Sequence, residues 1–524
     1  MRAAAPVARF PQRRRVPVAK RAPAVRLAAA GCCTLFIGAA FVNVCAAADI
    51  RSASGPTFYL LMAAFSMYLL GECLLYLKRR DAFGLLAPPF LASIMHFYLS
   101  YILPAAGTAI DPWIFDRFAH YFASQPDQLA DATLMLALAA FCMWRGYYLG
   151  QHAARKVQAL LRERRALRHR LEPALPAIFA LQVVYFGLAV YAVSVGLFGV
   201  AGTDAQRQQG ADLLDFINTG LAGGSLSLLL LLIHVFCRRA DGHRELFLAI
   251  ACGVLVSLYT VAGAISGFKT QMVIPFIILA LAKFVAERKL SITYIAACCL
   301  ALFVAYKVVE PYREYLGKNS LSGTTSVSSL ADALQNAYQQ KEYSDENIPL
   351  SSQILSRFDL TLMTAIGINF AQNHTLVAAK SAEFAESFYL SPILAWVPRT
   401  FWPDKPQYHS GGWFNQVVLD HVEDTTTSVG MGPVTWSYMM GGIFGVVACF
   451  VGLGFVQALL FDGAARSGAG GFIVFLSGAK AMIDIPSDLG PAFVSVLRLL
   501  PIAFAAQYVL LRHLRFEGRR VDER

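Results

Sequence analysis

About twelve runs of roughly 20 apolar residues, separated by short polar segments, constrain this chain more than any other feature. A helix of that length crosses about 30 Å of hydrocarbon. Inside lipid a spanning segment must satisfy its own backbone polar groups, which an α-helix does and a loop does not. The runs fall at residues 27–48, 57–76, 82–103, 129–150, 173–200, 216–237, 246–267, 271–286, 291–309, 435–460, 470–485 and 491–511. The expected fold is an all-α polytopic membrane protein with about twelve transmembrane helices and a large helical outer loop. Composition agrees: 15% of residues are charged, against about 25% in soluble domains.

The formal charge of +11 does not mark a nucleic-acid binder, because the basic residues cluster in short segments between apolar runs. Lys78-Arg79-Arg80, the 155–170 segment, Arg238-Arg239, Arg288-Lys289 and the tail from Arg512 fall on alternate loops. By the positive-inside rule these loops, and both termini, are cytoplasmic. The expected organisation is a basic arm at 1–26, nine helices within 27–309, an outer loop domain at 310–433, three helices within 434–511, and a basic tail at 512–524. The run at 27–48 exceeds a signal-peptide core, so an uncleaved first span is expected despite Ala46-Ala47-Ala48. All ten cysteines lie inside apolar runs, with no metal-ligand spacing.

Residues 151–172 have a helical pattern with six arginines and read as a topology-fixing cytoplasmic helix. In the outer loop, residues 318–329 are rich in Ser, Thr and Gly and read as a connector. Leu350, Ile354, Leu355, Phe358 and Leu362 recur at helical spacing, which suggests a helix lying on the membrane surface. A second helix is expected at 378–390. Pro392, Pro398, Pro403 and Pro406 then force extended or turning backbone. Glu72, Arg145 and Lys283 are expected to snorkel, and Asp484 to pair with Arg498.

No nucleophile elbow, zinc-protease motif, Walker loop or dinucleotide fingerprint is present. The outer segments instead offer cations beside aromatics. Arg313, Arg357, Arg399 and Lys405 lie in the loop, and Lys269 sits at the outer end of a span. Guanidinium forks pair with phosphate oxygens, and Lys supplies a compact charge to the same group. Any one of these is, taken alone, an ordinary solvated charge. Arg399 and Lys405 stand out because they share a proline-stiffened aromatic turn with Trp402. His409 follows as a candidate proton acceptor, with His374, His421, Asp404, Asp420, Glu423 and Asp424 as rivals.

Three pieces carry a family likeness: Ser266-Gly267-Phe268-Lys269; Pro398-Arg399-Thr400-Phe401-Trp402-Pro403-Asp404-Lys405-Pro406; and Gly432 to Gly445 at the start of a late span. With the long outer loop they resemble the bacterial Wzy-type polymerases, which join oligosaccharide repeat units into O-antigen or exopolysaccharide. Thr435 and Trp436 stand where that family usually has Gly-Glu, and Lys269 where it often has Arg. The resemblance implies a metal-independent glycosyltransferase of the bacterial inner membrane, with no cofactor. Its substrate is undecaprenyl-pyrophosphate-linked oligosaccharide, polymerised at the periplasmic face with lipid pyrophosphate as leaving group. Arg399 and His409 take the catalytic roles; Lys269, Arg313, Arg357, Lys405, Trp402 and Arg498 bind pyrophosphate or glycan. The implied partners are membrane lipids, a chain-length regulator and a flippase of the same pathway. An O-antigen ligase, a lipid-linked-oligosaccharide flippase and a non-catalytic scaffold are the alternatives.

Overall fold

The computed structural model describes residues 54–108, 111–124, 126–165, 169–195, 197–199, 211–240, 242, 245–318, 327–339, 352, 355–356, 358–373, 402, 410–423, 429–485 and 489–515. It is helical apart from one two-stranded ribbon, and eight helices are long and apolar enough to cross a membrane. Contacts divide the chain into two units. One holds the described residues of 165–345 and 505–524, the other those of 15–164 and 346–504.

The second unit begins with α1, Ser54–Arg79, whose last turn carries Lys78 and Arg79, the charge sign that suits a helix C-terminus. Ala87 is extended, and Pro88 then opens α2, Pro88–Gly107, with its missing N–H where no partner is needed. Within α2, Ser93–Ile102 is a π-helix. A short α3, Pro112–Ser124, leads into α4, Pro126–Arg165, of 40 residues. At 1.5 Å per residue α4 is about 60 Å long, twice the hydrocarbon thickness.

Later elements of this unit are α11, Thr361–Asn373; α12, Pro433–Ala458; α13, Ala469–Ile483; and most of α14, Leu489–Leu510. Helices α4 and α12 touch backbone to backbone. A Cβ on Gly146 would lie 2.2 Å from the Val451 carbonyl oxygen, and one on Gly454 2.0 Å from that of Met143. Without a hydrophobic drive between helices in lipid, small residues at the crossing supply close packing instead.

The first unit contains α5, Leu175–Ser194; α6, Ala211–Ala240; α7, Leu246–Ser266; α8, Lys269–Glu287; α9, Ile292–Lys318; and α10, Val327–Gln339. Its buried polar groups are paired: Gln182 donates to the Gly224 carbonyl at 3.0 Å and accepts from Tyr259 at 2.9 Å. Tyr185 stacks on Tyr259 with ring centroids 4.1 Å apart. The ribbon pairs β1, His169–Pro173, with β2, Leu511–Arg515, antiparallel.

Several expectations are corrected. The basic helix after residue 151 ends at Arg165, and its remainder forms β1. Helix α9 runs through Pro311 to Lys318 instead of stopping near residue 309. The helix expected across 350–370 is interrupted at Asp359 and Leu360: Ser352, Leu355, Ser356 and Phe358 are helical, and α11 then starts at Thr361. Within α11, Leu362, Ala365, Ile368 and Phe370 are buried against protein, where α11 packs on α12. Glu72 does not snorkel but is buried against Arg145, with Tyr148 donating to it at 3.1 Å. Lys283 pairs with Glu287 one turn along. The first apolar run and the second loop helix lie outside the described residues.

Candidate functional site

At the end of the second unit where α1 begins, a corner of buried polar groups forms because of one proline. Pro104 has no N–H, so the Ser100 carbonyl, four residues earlier in α2, loses its usual helical donor. The Leu360 N–H takes that place at 2.9 Å, and the Thr361 hydroxyl donates to the neighbouring Tyr101 carbonyl at 3.2 Å. Asp111 completes the corner. One of its oxygens accepts from the Trp113 N–H at 3.0 Å, capping α3, and the other accepts from the Ser352 hydroxyl. Arg117 donates to the Ser356 carbonyl. Residues 352–361 are therefore strapped onto α2 and α3.

Asp359 lies in this strap, 7% exposed. Its Oδ1 accepts the Thr361 N–H at 2.9 Å at the start of α11. Its Oδ2 has no hydrogen-bonding partner from the protein. Burial raises its pKa to about 6, held from rising further by the Thr361 N–H and the Arg117 guanidinium.

His96 Nε2 and Thr435 Oγ1 share this lack of a partner, while the buried Tyr101 and Thr364 hydroxyls have only each other. The Tyr101 ring meets that of His96 at 5.3 Å. A Cβ on Gly432 would meet the Tyr101 hydroxyl at 3.1 Å and the Thr364 hydroxyl at 3.4 Å, so the bare glycine backbone faces both. His96 and Tyr101 belong to the π-helical segment, a distortion frequent at functional sites. Buried polar groups are nearly always satisfied, and a group of exceptions is a place where a ligand can supply the missing bonds.

The residues expected from sequence are distributed differently. Lys269 belongs to the first unit, its ammonium 3.9 Å over the Tyr306 ring. Arg313 is exposed on α9 of the same unit. Trp402 is exposed. Arg498 lies on α14, its side chain outside the description; Arg357, Arg399, Lys405 and His409 lie outside the described residues altogether. Of the rival bases, Asp420, His421 and Glu423 are exposed, with His421 Nδ1 3.0 Å from the Asn415 side-chain oxygen. Asp484 is exposed at the end of α13.

Sequence reasoning passed over Asp359, His96, Tyr101, Thr364 and Thr435. One signal was available for Asp359: an Asp two residues before a Thr that opens an apolar run is a capping pattern. His96 and Tyr101 read as ordinary members of an apolar span.

Comparison with known proteins adds one match. Residues 222–477 fit a family described as a domain of unknown function, DUF8712. The matched stretch includes Asp359, Thr364, Gly432 and Thr435, and His96 and Tyr101 precede it. No curated protein and no solved structure matches the chain.

Proposed function

We propose that this protein is a membrane glycosyltransferase that polymerises polyprenyl-pyrophosphate-linked oligosaccharide units, with the Asp359 corner at its reacting centre. The reaction joins an acceptor hydroxyl to the anomeric carbon of a second lipid-linked glycan. The bond from that carbon to pyrophosphate breaks, and the lipid pyrophosphate leaves with the electron pair. Asp359 accepts the proton of the attacking hydroxyl. An acid with a pKa about 6 is partly to mostly ionised near neutral pH and still basic enough to take a proton. Arg117, whose charge lowers the Asp359 pKa, supplies positive charge for the developing phosphate charge, joined by Arg399 and Lys405 of the loop. On the charge asymmetry of the loops this corner faces outward, to the periplasm of a bacterial inner membrane.

The observation that carries this reading is the buried Oδ2 of Asp359, left without a partner and within the electrostatic reach of the Arg117 guanidinium. The test is Asp359→Asn, which keeps the cap and the volume but cannot accept the proton. With protein levels in the membrane unchanged, glycan should stay as single lipid-linked repeat units, elongation falling about 100-fold or more. Normal polymer length would sink the assignment.

One observation favours a flippase as second reading. Helix α12 is broken at Gly441 and Gly442, the latter at φ 58°, ψ −143°, a conformation reserved for glycine. Transporters use broken helices to expose backbone within the membrane. Under that reading Asp359→Asn leaves unpolymerised lipid-linked glycan on the cytoplasmic side.

A further inference from the structure

The opposite end of the second unit holds a different construction. A cavity of about 310 Å³ opens between the last turn of α1, the far half of α4 and the segment after α12. Four arginines line it, Arg79, Arg80, Arg155 and Arg466, against one carboxylate, Asp462. Asp462 locks two of them. Arg80 clasps both its oxygens at 3.1 and 2.9 Å, and Arg466 Nε lies 3.1 Å from Oδ1. Tyr147 donates to it at 3.0 Å. Asp81, outside the cavity, holds the other edge of Arg466 at 2.8 and 3.3 Å.

Arg79 and Arg155 are exposed and have no carboxylate partner among the described residues. A topology signal needs only a number of basic residues on one side of the membrane. It does not require guanidinium groups from three separate segments around one cavity, two of them fixed and two left over. Tyr148, Gln151 and Gln158 add hydrogen-bonding groups to the wall. The far half of α4 extends past the hydrocarbon, so the cavity is reachable from water and from lipid headgroups.

We propose that this cavity is an anion site for a phosphate group, independent of the glycan-joining centre. Arg79 and Arg155 would make the direct bidentate contacts, with the Asp462-held arginines as the positive floor. The volume suits one phosphorylated group, at the lower end of small-ligand sites. A free phosphate and a phospholipid headgroup share this chemistry.

The test uses the full chain in phosphatidylcholine nanodiscs, comparing wild type, the Arg79→Gln/Arg155→Gln variant, and a Lys78→Gln/Lys156→Gln control. The control removes equal charge from exposed positions on the same helices, outside the cavity. Melting temperature is followed as inorganic phosphate is titrated, and again in nanodiscs containing phosphatidylglycerol. The arginine variant should need about tenfold more of the effective anion than wild type or control. A response to inorganic phosphate assigns a soluble ligand; a response to phosphatidylglycerol alone assigns a headgroup. If the arginine variant responds like the lysine control with both, or nothing raises the wild-type melting temperature, the proposal is overturned.

Discussion

The two ends of the second unit treat buried polarity in opposite ways. At the Arg79 end Asp462 is almost enclosed, yet it meets Arg80, Arg466 and Tyr147. At the other end Asp359 is equally enclosed, but one of its oxygens is left without a partner, as are His96 Nε2 and the Thr435 hydroxyl. Satisfied networks hold a fold in one arrangement, whereas unsatisfied groups cost stability until something binds them. The first end therefore builds structure around an open cavity, and the second stores a binding capacity.

Removing the centre of the satisfied end should have the largest effect. Asp462→Ala leaves Arg80 without a carboxylate and Arg466 with Asp81 alone, and should destabilise the protein by about 3–5 kcal/mol. Thermal melting in detergent, or loss from the membrane fraction, checks it. A change below about 1 kcal/mol would erase the contrast between the ends.

The unsatisfied end should respond with the other sign. Asp359 keeps its proton to about pH 6 when folded but loses it near 3.8 when unfolded. The folded state binds more protons in that window, so this group's contribution makes stability fall as pH rises from about 4 to about 6 and level off above. The penalty above pH 6 is on the order of 2–3 kcal/mol. Asp359→Asn removes it, so the variant should melt higher than wild type at pH 7.5 and show no such difference at pH 3.5. A lower melting temperature at pH 7.5 would count against a strained carboxylate.

Gly367→Ala probes the packing under the corner. The new Cβ would lie 2.2 Å from Thr435 Cγ2, where α11 meets α12. A loss of about 1–3 kcal/mol is expected, with recovery in the Gly367→Ala/Thr435→Ser double variant, which lacks the offending methyl. The smallest effect belongs to Tyr101→Phe. Deleting a buried hydroxyl whose one partner is the Thr364 hydroxyl should change stability by no more than about 1 kcal/mol, while elongation falls about tenfold if that hydroxyl meets substrate.

The spans were legible where apolar length decides the matter. The expected 57–76, 246–267 and 271–286 became Ser54–Arg79, Leu246–Ser266 and Lys269–Glu287. The helical spacing read in the loop holds at Leu355, Phe358 and Leu362, but the break at Asp359 and Leu360 was not legible, because it depends on the Leu360 N–H bonding the Ser100 carbonyl of α2. Asp462 was missed because it lies just past an apolar run and its partner is 382 residues away. The strand β1 was hidden because Arg170 fits a basic helix as well as a ribbon edge.

The sequence by itself determined that this chain forms apolar helices suited to a membrane, since runs of such length have no other way to bury their backbone groups. It also settled the residue types available for anion binding, and the proline that frees the Ser100 carbonyl. Only the tertiary structure decided which charges meet. Arg80 with Asp462, and Arg466 with Asp81, are pairings between distant segments, fixed by helix packing that no local pattern encodes. Burial then gives two aspartates of the same chemistry, Asp359 and Asp462, opposite roles.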